Sequence, residues 1–238
     1  MSLLDLDLSR VRAVTFDAGD TLLAPTPSVG KIYAEVLAGN GVSLEPKILN
    51  ERFREVFKTA VKARPRGVVN EETEMNFWRE VVRKCVTPEC PGNLVGKVFA
   101  QLWEEFALEK RWLALPGVQE TLTVLAARRR VRLAVLSNWD SRLHRILDGL
   151  DLRRNFSAVF ISSEIGAEKP DARAFRATEK GLGLPAEACL HVGDNYAHDY
   201  AAARAAGWQA ILLSSTPPAS DPAAVCVKCL DELIKLPL

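Results

Sequence analysis

Two patterns of apolar and polar residues alternate along the chain. Near the start, Val11 to Phe16 form a short apolar run without helical spacing, which is typical of a buried strand, and Asp17 ends it. From Lys31 to Phe106, apolar residues recur at the spacing of amphipathic helices. Beyond Pro116, short apolar runs alternate with helical patterns. The pattern therefore predicts an α/β protein whose parallel sheet is interrupted, after its first strand, by an all-helical insert.

The changes of period also predict where the domains begin and end. Residues 1–24 and 109–238 form a core domain, and residues 25–108 form a helical domain whose stretches are separated by glycine and proline. Aromatic residues in this insert recur at helical spacing, which favours packing in a core over lining of a pocket. The predicted helices contain Ile32–Leu37, Ile48–Val61, Phe77–Val82 and Leu94–Phe106; the later strands are Val131–Leu136, Ala158–Ile161, Cys189–Val192 and Gln209–Leu213, followed by a short strand and a helix at Leu230–Ile234.

Composition and charge argue against several classes of function. The chain has 238 residues, 48% of them hydrophobic, and its 31 basic and 30 acidic residues leave a net charge of +1. This balance provides no electrostatic basis for binding nucleic acid or an anionic membrane, and no apolar run is long enough to span a bilayer. Five cysteines and the lack of a basic, then apolar, leader predict a protein of the reducing cytoplasm. Cys226 and Cys229 have the spacing of a metal or redox pair, but no second pair follows them.

Polar residues follow the predicted strands at the points where the strands end. The carboxyl ends of parallel strands share one edge of a sheet, where α/β proteins bind ligands, so these residues are expected to meet. Any one of them alone is also compatible with an ordinary turn. The residues at this edge are Asp17 and Asp20, Ser137 and Asn138, Lys169, and Asp194 and Asp199.

So many carboxylates at one edge need cations beside them. Two unit charges ~4 Å apart repel by about 4 kcal/mol at an effective dielectric near 20. Lys169 supplies one positive charge, and an all-oxygen cluster favours Mg²⁺ as another. Magnesium points to phosphate chemistry, in which the Ser137 hydroxyl binds a phosphoryl group and Asp17 attacks it to form an aspartyl-phosphate.

Four motifs in this order resemble those of the haloacid dehalogenase (HAD) superfamily of hydrolases. They are Phe16-Asp17-Ala18-Gly19-Asp20-Thr21, Leu136-Ser137-Asn138, Lys169-Pro170, and Gly193-Asp194-Asn195-Tyr196-Ala197-His198-Asp199. The resemblance covers nearly the whole chain and implies a Rossmann-like core with an inserted all-helical cap of the first cap class. The Asp-x-x-Asp-Thr-Leu start is similar to the branch that contains HAD-like hydrolase domain-containing protein 3 and Reg-2-like proteins.

The resemblance also implies a role for each site residue. Asp17 is the nucleophile and, with the Gly19 carbonyl and Asp194, a magnesium ligand, while Lys169 stabilises the nucleophile. The remaining candidates bind phosphate (Ser137, Asn138) or support the site (Asp199, which orients it, with Thr21 and Asn195). Two histidines are given no catalytic role, since His198 is typical of an exposed helix start and His191 of strand packing.

The first motif departs from the phosphatases of this family at Gly19. Their aspartate at that position protonates the leaving group, and here the nearest aspartate is one place later, at Asp20. Loss of general acid–base catalysis typically costs about 10² to 10⁴ in rate. Three explanations stay open: Asp20 substitutes for the acid, the leaving group needs no proton, or the site binds phosphorylated ligands without fast turnover.

The sequence thus predicts a magnesium-dependent phosphatase, monomeric or homodimeric, that acts on a small phosphorylated metabolite with weakened acid–base catalysis. One alternative is a catalytically weak or inactive phosphate-binding or regulatory module. Another is a metal-independent 2-haloacid dehalogenase, because a halide leaves without a proton. Asp194 and the acidic motif favour phosphoryl chemistry, since they retain the metal-binding pattern.

Overall fold

A six-stranded parallel sheet forms the centre of the chain. The computed structural model describes residues 6–64, 67–128 and 130–238; Pro65 and Arg66, where the second predicted helix was expected to stop, and the first five residues lie outside these ranges. The main sheet has the order β5-β4-β1-β6-β7-β8, and all of its pairs are parallel, which confirms the predicted sheet. The strands are β1 Ala13–Phe16, β2 Leu23–Pro25, β3 Trp112–Ala114, β4 Arg132–Ser137, β5 Ala158–Ile161, β6 Cys189–Gly193, β7 Gln209–Leu213 and β8 Cys226–Val227.

Strand β1 lies between β4 and β6, and every residue of it is buried. A strand covered on both faces requires a continuous apolar run, which is the pattern that the sequence shows here. Phe16 is in register with Val135 of β4 and Val192 of β6. The Asp17 N–H donates to the Val192 carbonyl at 2.9 Å, so the first residue after β1 is held between two strand ends.

Helices surround the sheet and fill the insert, and local sequence determines where several of them begin. Pro46 is the first residue of α2, where a missing N–H costs nothing, and Asn70 with Thr73 forms a capping box at the start of α3. No described helix is both long and apolar enough to cross a lipid bilayer. The helices are α1 Val29–Ala38, α2 Pro46–Ala63, α3 Glu71–Val86, α4 Gly92–Glu105, α5 Val118–Ala127, α6 Arg142–Gly149, α7 Ser162–Ile165, α8 Ala172–Leu182 and α9 Ala202–Ala205.

The four helices α1 to α4 have a hydrophobic core of their own, separate from that of the sheet. Its aromatic rings pack on one another as the helical spacing predicts: Phe53 and Phe57 stack at 5.5 Å, and Phe57 stacks on Trp78 at 5.5 Å. Where the chain leaves and re-enters the core, β2 and β3 pair as a short antiparallel ribbon. The insert is therefore joined to the sheet through this ribbon.

Several short elements differ from the sequence prediction. Between β6 and β7, where the alternating pattern predicts a helix, the chain starts as a π-helical turn, Tyr196–Ala201, before α9. The predicted last helix is a 3₁₀ helix, Leu230–Lys235. The ribbon of β2 and β3 and the single turn α7 were not predicted from the sequence. Cys226 lies in β8 and Cys229 directly precedes the 3₁₀ helix, as expected for a strand running into a helix; both thiols are free.

Candidate active site

Asp17 contacts both Ser137 and Lys169 at the carboxyl edge of the sheet. Asp17 follows β1, Ser137 is the last residue of β4, and Lys169 lies in the loop between α7 and α8. Asp17 Oδ1 accepts hydrogen bonds from Ser137 Oγ and Lys169 Nζ, both at 2.9 Å. No described residue donates to Asp17 Oδ2. One oxygen of this carboxylate is thus fixed and the other is free to attack or to bind a ligand.

The Lys169 ammonium is buried, with 2% of its side chain exposed, and it bridges two carboxylates. Besides Asp17, it contacts Asp199 Oδ1 at 2.5 Å. Burial by itself lowers the pKa of Lys169, but the charges of Asp17 and Asp199 outweigh this effect and raise it above its ordinary value. The lysine is therefore a permanent positive charge beside the Asp17 carboxylate.

Asn138 contacts the backbone of Lys169. Its amide nitrogen donates to the Lys169 carbonyl at 2.7 Å, and its amide oxygen accepts from the Lys169 N–H at 2.8 Å. Both polar ends of the Asn138 side chain are thus occupied by the loop. The contacts with the Lys169 backbone hold the lysine loop in place, and the role of Asn138 in phosphate binding stays a prediction.

The acidic motif after β6 forms a tight turn around Asp199. Asp199 Oδ2 accepts from the Asn195 N–H at 2.9 Å, and Asn195 caps the following helix by accepting from Ala197 and His198. A Cβ at Gly193 would stand 2.3 Å from the Asp199 carboxyl carbon, so only glycine permits this approach. Burial would raise the pKa of Asp199, but the charge of the neighbouring Lys169 ammonium holds it below its usual range.

An excess of negative charge surrounds Asp194. Its Oδ1 accepts from Thr21 Oγ1 at 3.3 Å. Partial desolvation and then the charges of Asp17, Asp199 and Asp20 raise the pKa of Asp194 to about 7. Among the described residues, the ammonium of Lys169 is the one positive charge set against these four carboxylates. A divalent cation would balance the negative charge that remains.

The donor set of this cluster fits a hard metal ion. One ligand atom each from Asp17, Asp194 and Asp199 lies within 4.8 Å of the others. Asp199 already accepts from Lys169 and the Asn195 backbone, which leaves Asp17 Oδ2 and Asp194 as the carboxylates with capacity for a cation. All-oxygen donors of this kind favour Mg²⁺.

Gly19 and Asp20 occupy different surroundings next to the nucleophile. A Cβ at Gly19 would stand 3.4 Å from Cζ3 of the Trp139 indole, which is half-buried and packs on Trp112 at 5.0 Å. Asp20 has a φ of 54°, in the left-handed region that aspartate tolerates better than most residues. Burial and the charge of Asp17 raise the pKa of Asp20. An aromatic ring therefore lies against position 19.

His191 is buried in β6, as expected for strand packing, and it also contacts residues of the site, with Thr15 beside it. His191 Nε2 lies 3.2 Å from Lys169 Nζ and 3.1 Å from Asp199 Oδ1, and its Nδ1 lies 2.7 Å from Thr15 Oγ1. The available signal was a polar residue in each of two apolar strands, one position before the end of the apolar run. His198, by contrast, is half-exposed at the helix start, in agreement with its predicted place.

The helical insert contacts the loop that carries Ser137 and Asn138. Glu71, the first residue of α3, accepts from the Ser141 N–H at 2.9 Å and from Ser163 Oγ at 2.5 Å. Arg142 forms a salt bridge with the buried Asp140 at 2.7 Å and stacks on Trp103 of α4 at 3.5 Å from the ring centre. The insert is therefore bonded to the core immediately beside the candidate site.

Solved structures share this architecture. A defluorinating L-2-haloacid dehalogenase has a TM-score of 0.76 at 20% identity, and the alignment covers 94% of each chain. The HAD-hydrolase YfnB from Bacillus subtilis, bound to magnesium, has a TM-score of 0.71 at 17% identity and covers 95% of this chain and 98% of that one. At such identities the likeness shows the fold.

Sequence relatives carry the assignment further. The chain is 33% identical over 216 residues to haloacid dehalogenase-like hydrolase domain-containing protein 3 of Homo sapiens, covering 90% of this chain and 85% of the relative. It is 30% identical over 218 residues to the rhythmically expressed gene 2 protein of Drosophila melanogaster, covering 87% and 84%. The family model of the haloacid dehalogenase-like hydrolases matches residues 11–207. The chain belongs to this family of hydrolases.

Proposed function

We propose that the chain is a magnesium-dependent phosphatase that acts on a small phosphorylated metabolite through an aspartyl-phosphate intermediate. The observation that carries the proposal is the asymmetry of the Asp17 carboxylate. Ser137 and Lys169 hold Oδ1, while Oδ2 receives no hydrogen bond from the described residues. A carboxylate held in this way presents one nucleophilic oxygen in a fixed direction.

The residues around Asp17 fit the charges of phosphoryl transfer. The Lys169 ammonium neutralises the nucleophile before attack and the transferred oxygens during it. The Ser137 hydroxyl reaches the same carboxylate and would donate to a phosphoryl oxygen once substrate is bound. Asp17, Asp194 and the Gly19 carbonyl would hold Mg²⁺, which when bound offsets the negative charge of the phosphoryl group.

Proton transfer to the leaving group is the weak part of this site. Position 19 has no side chain, and the Trp139 indole lies against it. Asp20 is close enough to Asp17 for their charges to interact, but the backbone of Asp20 has a left-handed conformation. We therefore infer that leaving groups which depart without a proton, such as phenolates, react faster than alkoxides.

The insert, residues 25–108, acts in this proposal as a cap over the site. Glu71 and Trp103 contact residues 141, 142 and 163, directly after the strand ends that carry the site. Movement of the insert would open and close the entrance to Asp17, and the insert would supply the residues that select the substrate. Its free thiols agree with a reducing compartment such as the cytoplasm.

Hydrolysis of p-nitrophenyl phosphate with and without Mg²⁺ tests the proposal. Asp17→Asn keeps the shape of the side chain but removes the nucleophile, and it should lower kcat at least about 10³-fold. Asp148→Asn, at an exposed position of α6, is the matched control and should retain wild-type turnover. Metal-independent chloride release from 2-chloropropionate would contradict the phosphatase. Tight Mg²⁺ binding without turnover of any phosphate would support a binding module in its place.

Gly19→Asp tests the role of the missing acid. If an aspartate fits beside Trp139, turnover of an alkyl phosphate should rise, by up to about 10² to 10⁴-fold, while p-nitrophenyl phosphate changes little. Asp20→Asn should leave alkyl phosphate turnover unchanged if Asp20 is not the substitute acid. A loss limited to alkyl phosphates in Asp20→Asn would instead identify Asp20 as that acid.

A further inference from the structure

A buried polar chain lies beneath the carboxylate cluster and joins the two central strands to Lys169. Thr15 of β1 and His191 of β6 are paired in register, and both are fully buried. The His191 ring packs edge-to-face on Phe175 at 6.0 Å. Since residues two apart on a strand share a face, Thr15 also lies on the Asp17 side of β1.

The hydrogen bonds of the Lys169 ammonium determine which ring nitrogen of His191 is protonated. An ammonium has three N–H donors, and a buried one must place each of them on an acceptor. Asp17 Oδ1 and Asp199 Oδ1 take two, at 2.9 and 2.5 Å. His191 Nε2, at 3.2 Å, is the third acceptor, provided that it has a free lone pair.

The opposite end of the imidazole agrees with this assignment. With Nε2 as the acceptor, a neutral His191 carries its hydrogen on Nδ1, which lies 2.7 Å from Thr15 Oγ1. The Thr15 hydroxyl then donates to the Leu190 carbonyl at 3.4 Å, so every hydrogen in the chain has an acceptor. With its hydrogen on Nε2 instead, His191 would donate to Asp199 Oδ1 at 3.1 Å, and the third hydrogen of the Lys169 ammonium would have no acceptor among the described residues.

We propose that His191, as the Nδ1–H tautomer, is a positioning residue that accepts the third hydrogen of the Lys169 ammonium. Together with Asp17 and Asp199 it holds the ammonium from three directions, while Asn138 holds the lysine backbone. The ammonium therefore stays on Asp17 Oδ1 and leaves Oδ2 free. The catalytic part of this inference rests on the proposed phosphatase function; the tautomer does not.

Two variants separate hydrogen bonding from packing. The side-chain oxygen of His191→Gln reaches the position of Nε2 and can accept from Lys169, whereas His191→Leu cannot. We expect kcat on p-nitrophenyl phosphate to fall at least about tenfold in His191→Leu with KM little changed, and to stay within about threefold of wild type in His191→Gln. Phe175→Leu alters packing on the same ring and should leave kcat within about threefold.

Ring-nitrogen NMR of the wild-type protein provides a readout independent of catalysis. The shifts should show a neutral ring with hydrogen on Nδ1, and Thr15→Val, which removes the acceptor of that hydrogen, should weaken this preference. A spectrum with hydrogen on Nε2, or equal losses of kcat in His191→Leu and His191→Gln, would overturn the inference. If the wild type shows no magnesium-dependent turnover, the phosphatase proposal fails while the NMR result still decides the tautomer.

Discussion

The parallel-sheet core and the helical insert bury charged groups in different ways. At the strand ends of the core, Lys169, Asp199 and His191 are buried together within hydrogen-bonding distance of one another. In the described part of the insert, Glu74 is the one fully buried charged side chain, and Arg64 pairs with it. The remaining interior of the insert is apolar and aromatic.

This difference separates a reactive region from a packed one. In the core, charges are in excess and depend on each other, so the removal of one partner leaves several groups without compensation. In the insert, helices pack through apolar surfaces, which tolerate changes of similar volume. We therefore expect the core to respond strongly to single charge changes and to metal, and the insert to respond weakly outside the Arg64–Glu74 pair.

Removal of the buried lysine should have the largest effect. Lys169→Met leaves Asp17 and Asp199 facing each other without a cation, and it should destabilise the fold by about 3 to 5 kcal/mol and abolish turnover. Urea denaturation followed by circular dichroism measures the loss. Lys84→Met, at a lysine whose side chain is 48% exposed, is the control and should change stability by less than about 0.5 kcal/mol. Equal stability of the two variants would refute the dependence on Lys169.

Magnesium should stabilise the folded protein through the core alone. At a concentration of about 100 Kd it should add about 2.7 kcal/mol, measured as a rise in Tm. Asp194→Asn should remove most of this gain and, without metal, should raise stability, because it relieves repulsion from the neighbouring carboxylates. A magnesium response in Asp194→Asn as large as in the wild type would contradict the assignment of Asp194 as a ligand.

Loss of Arg64 should be the main weakness of the insert, and its effect should depend on pH. Arg64→Met leaves Glu74 buried without its cation and should cost about 1 to 3 kcal/mol when Glu74 is ionised. Burial, against the opposing effect of Arg64, raises the pKa of Glu74 above its ordinary 4.5. A carboxyl group whose pKa is higher in the folded than in the unfolded protein stabilises the fold at pH values below its unfolded pKa, and this stabilisation is lost as the pH rises. The destabilisation caused by Arg64→Met should therefore increase above pH 4.5.

Arg52→Met is the matched control for this pH profile. Its partner Glu89 is 35% exposed, and the Arg52 side chain lowers the pKa of Glu89 to about 2. Arg52→Met should destabilise the fold by less than about 1 kcal/mol. This destabilisation should change with pH only between about 2, the lowered pKa of Glu89, and its ordinary pKa of 4.5. Guanidinium denaturation at a series of pH values compares the two variants. Identical profiles would show that burial of Glu74 has no consequence for stability.

The contact between insert and core should have the smallest effect on stability. Glu71→Ala removes the hydrogen bonds to Ser141 and Ser163 and should cost below about 1 kcal/mol, because Glu71 is exposed and its bond to Ser141 faces solvent, although Ser163 is buried. Glu72→Ala, in the same first turn of α3, is the control for helix effects. Hydrogen exchange at Ser141 should increase in Glu71→Ala only. Unchanged exchange would indicate that other contacts hold the insert against the core.

Much of the fold and the identities of several site residues could be predicted from sequence. Each of Asp17, Ser137 and Lys169 follows a recognisable strand or motif, and parallel strands place their carboxyl ends at one edge. The helices of the insert could be predicted because their apolar periodicity runs over ten or more residues. The three-residue strands β2 and β3 and the single turn α7 were missed, although the four-residue strands β1 and β5 were recognised as apolar runs.

The partners of individual side chains were beyond the sequence. Asn138 binds the Lys169 backbone, Trp139 lies against Gly19, and His191 contacts Lys169. None of these contacts follows from the residue type, because each depends on how two distant loops or strands are turned toward each other. The direction of the Asp20 side chain similarly depends on the left-handed turn after Asp17.

By itself, the sequence determined the alternation of strands and helices and the residue types available at the strand ends, because period and motif are local properties. The tertiary structure decided which oxygen of Asp17 is occupied, that Lys169 is held from three sides, and that Gly19 faces an indole. Ser137 and Lys169 lie 120 and 152 residues from Asp17 along the chain. Contacts at such separations exist only after the parallel strands have assembled and the carboxyl ends of β1, β4 and β6 lie side by side.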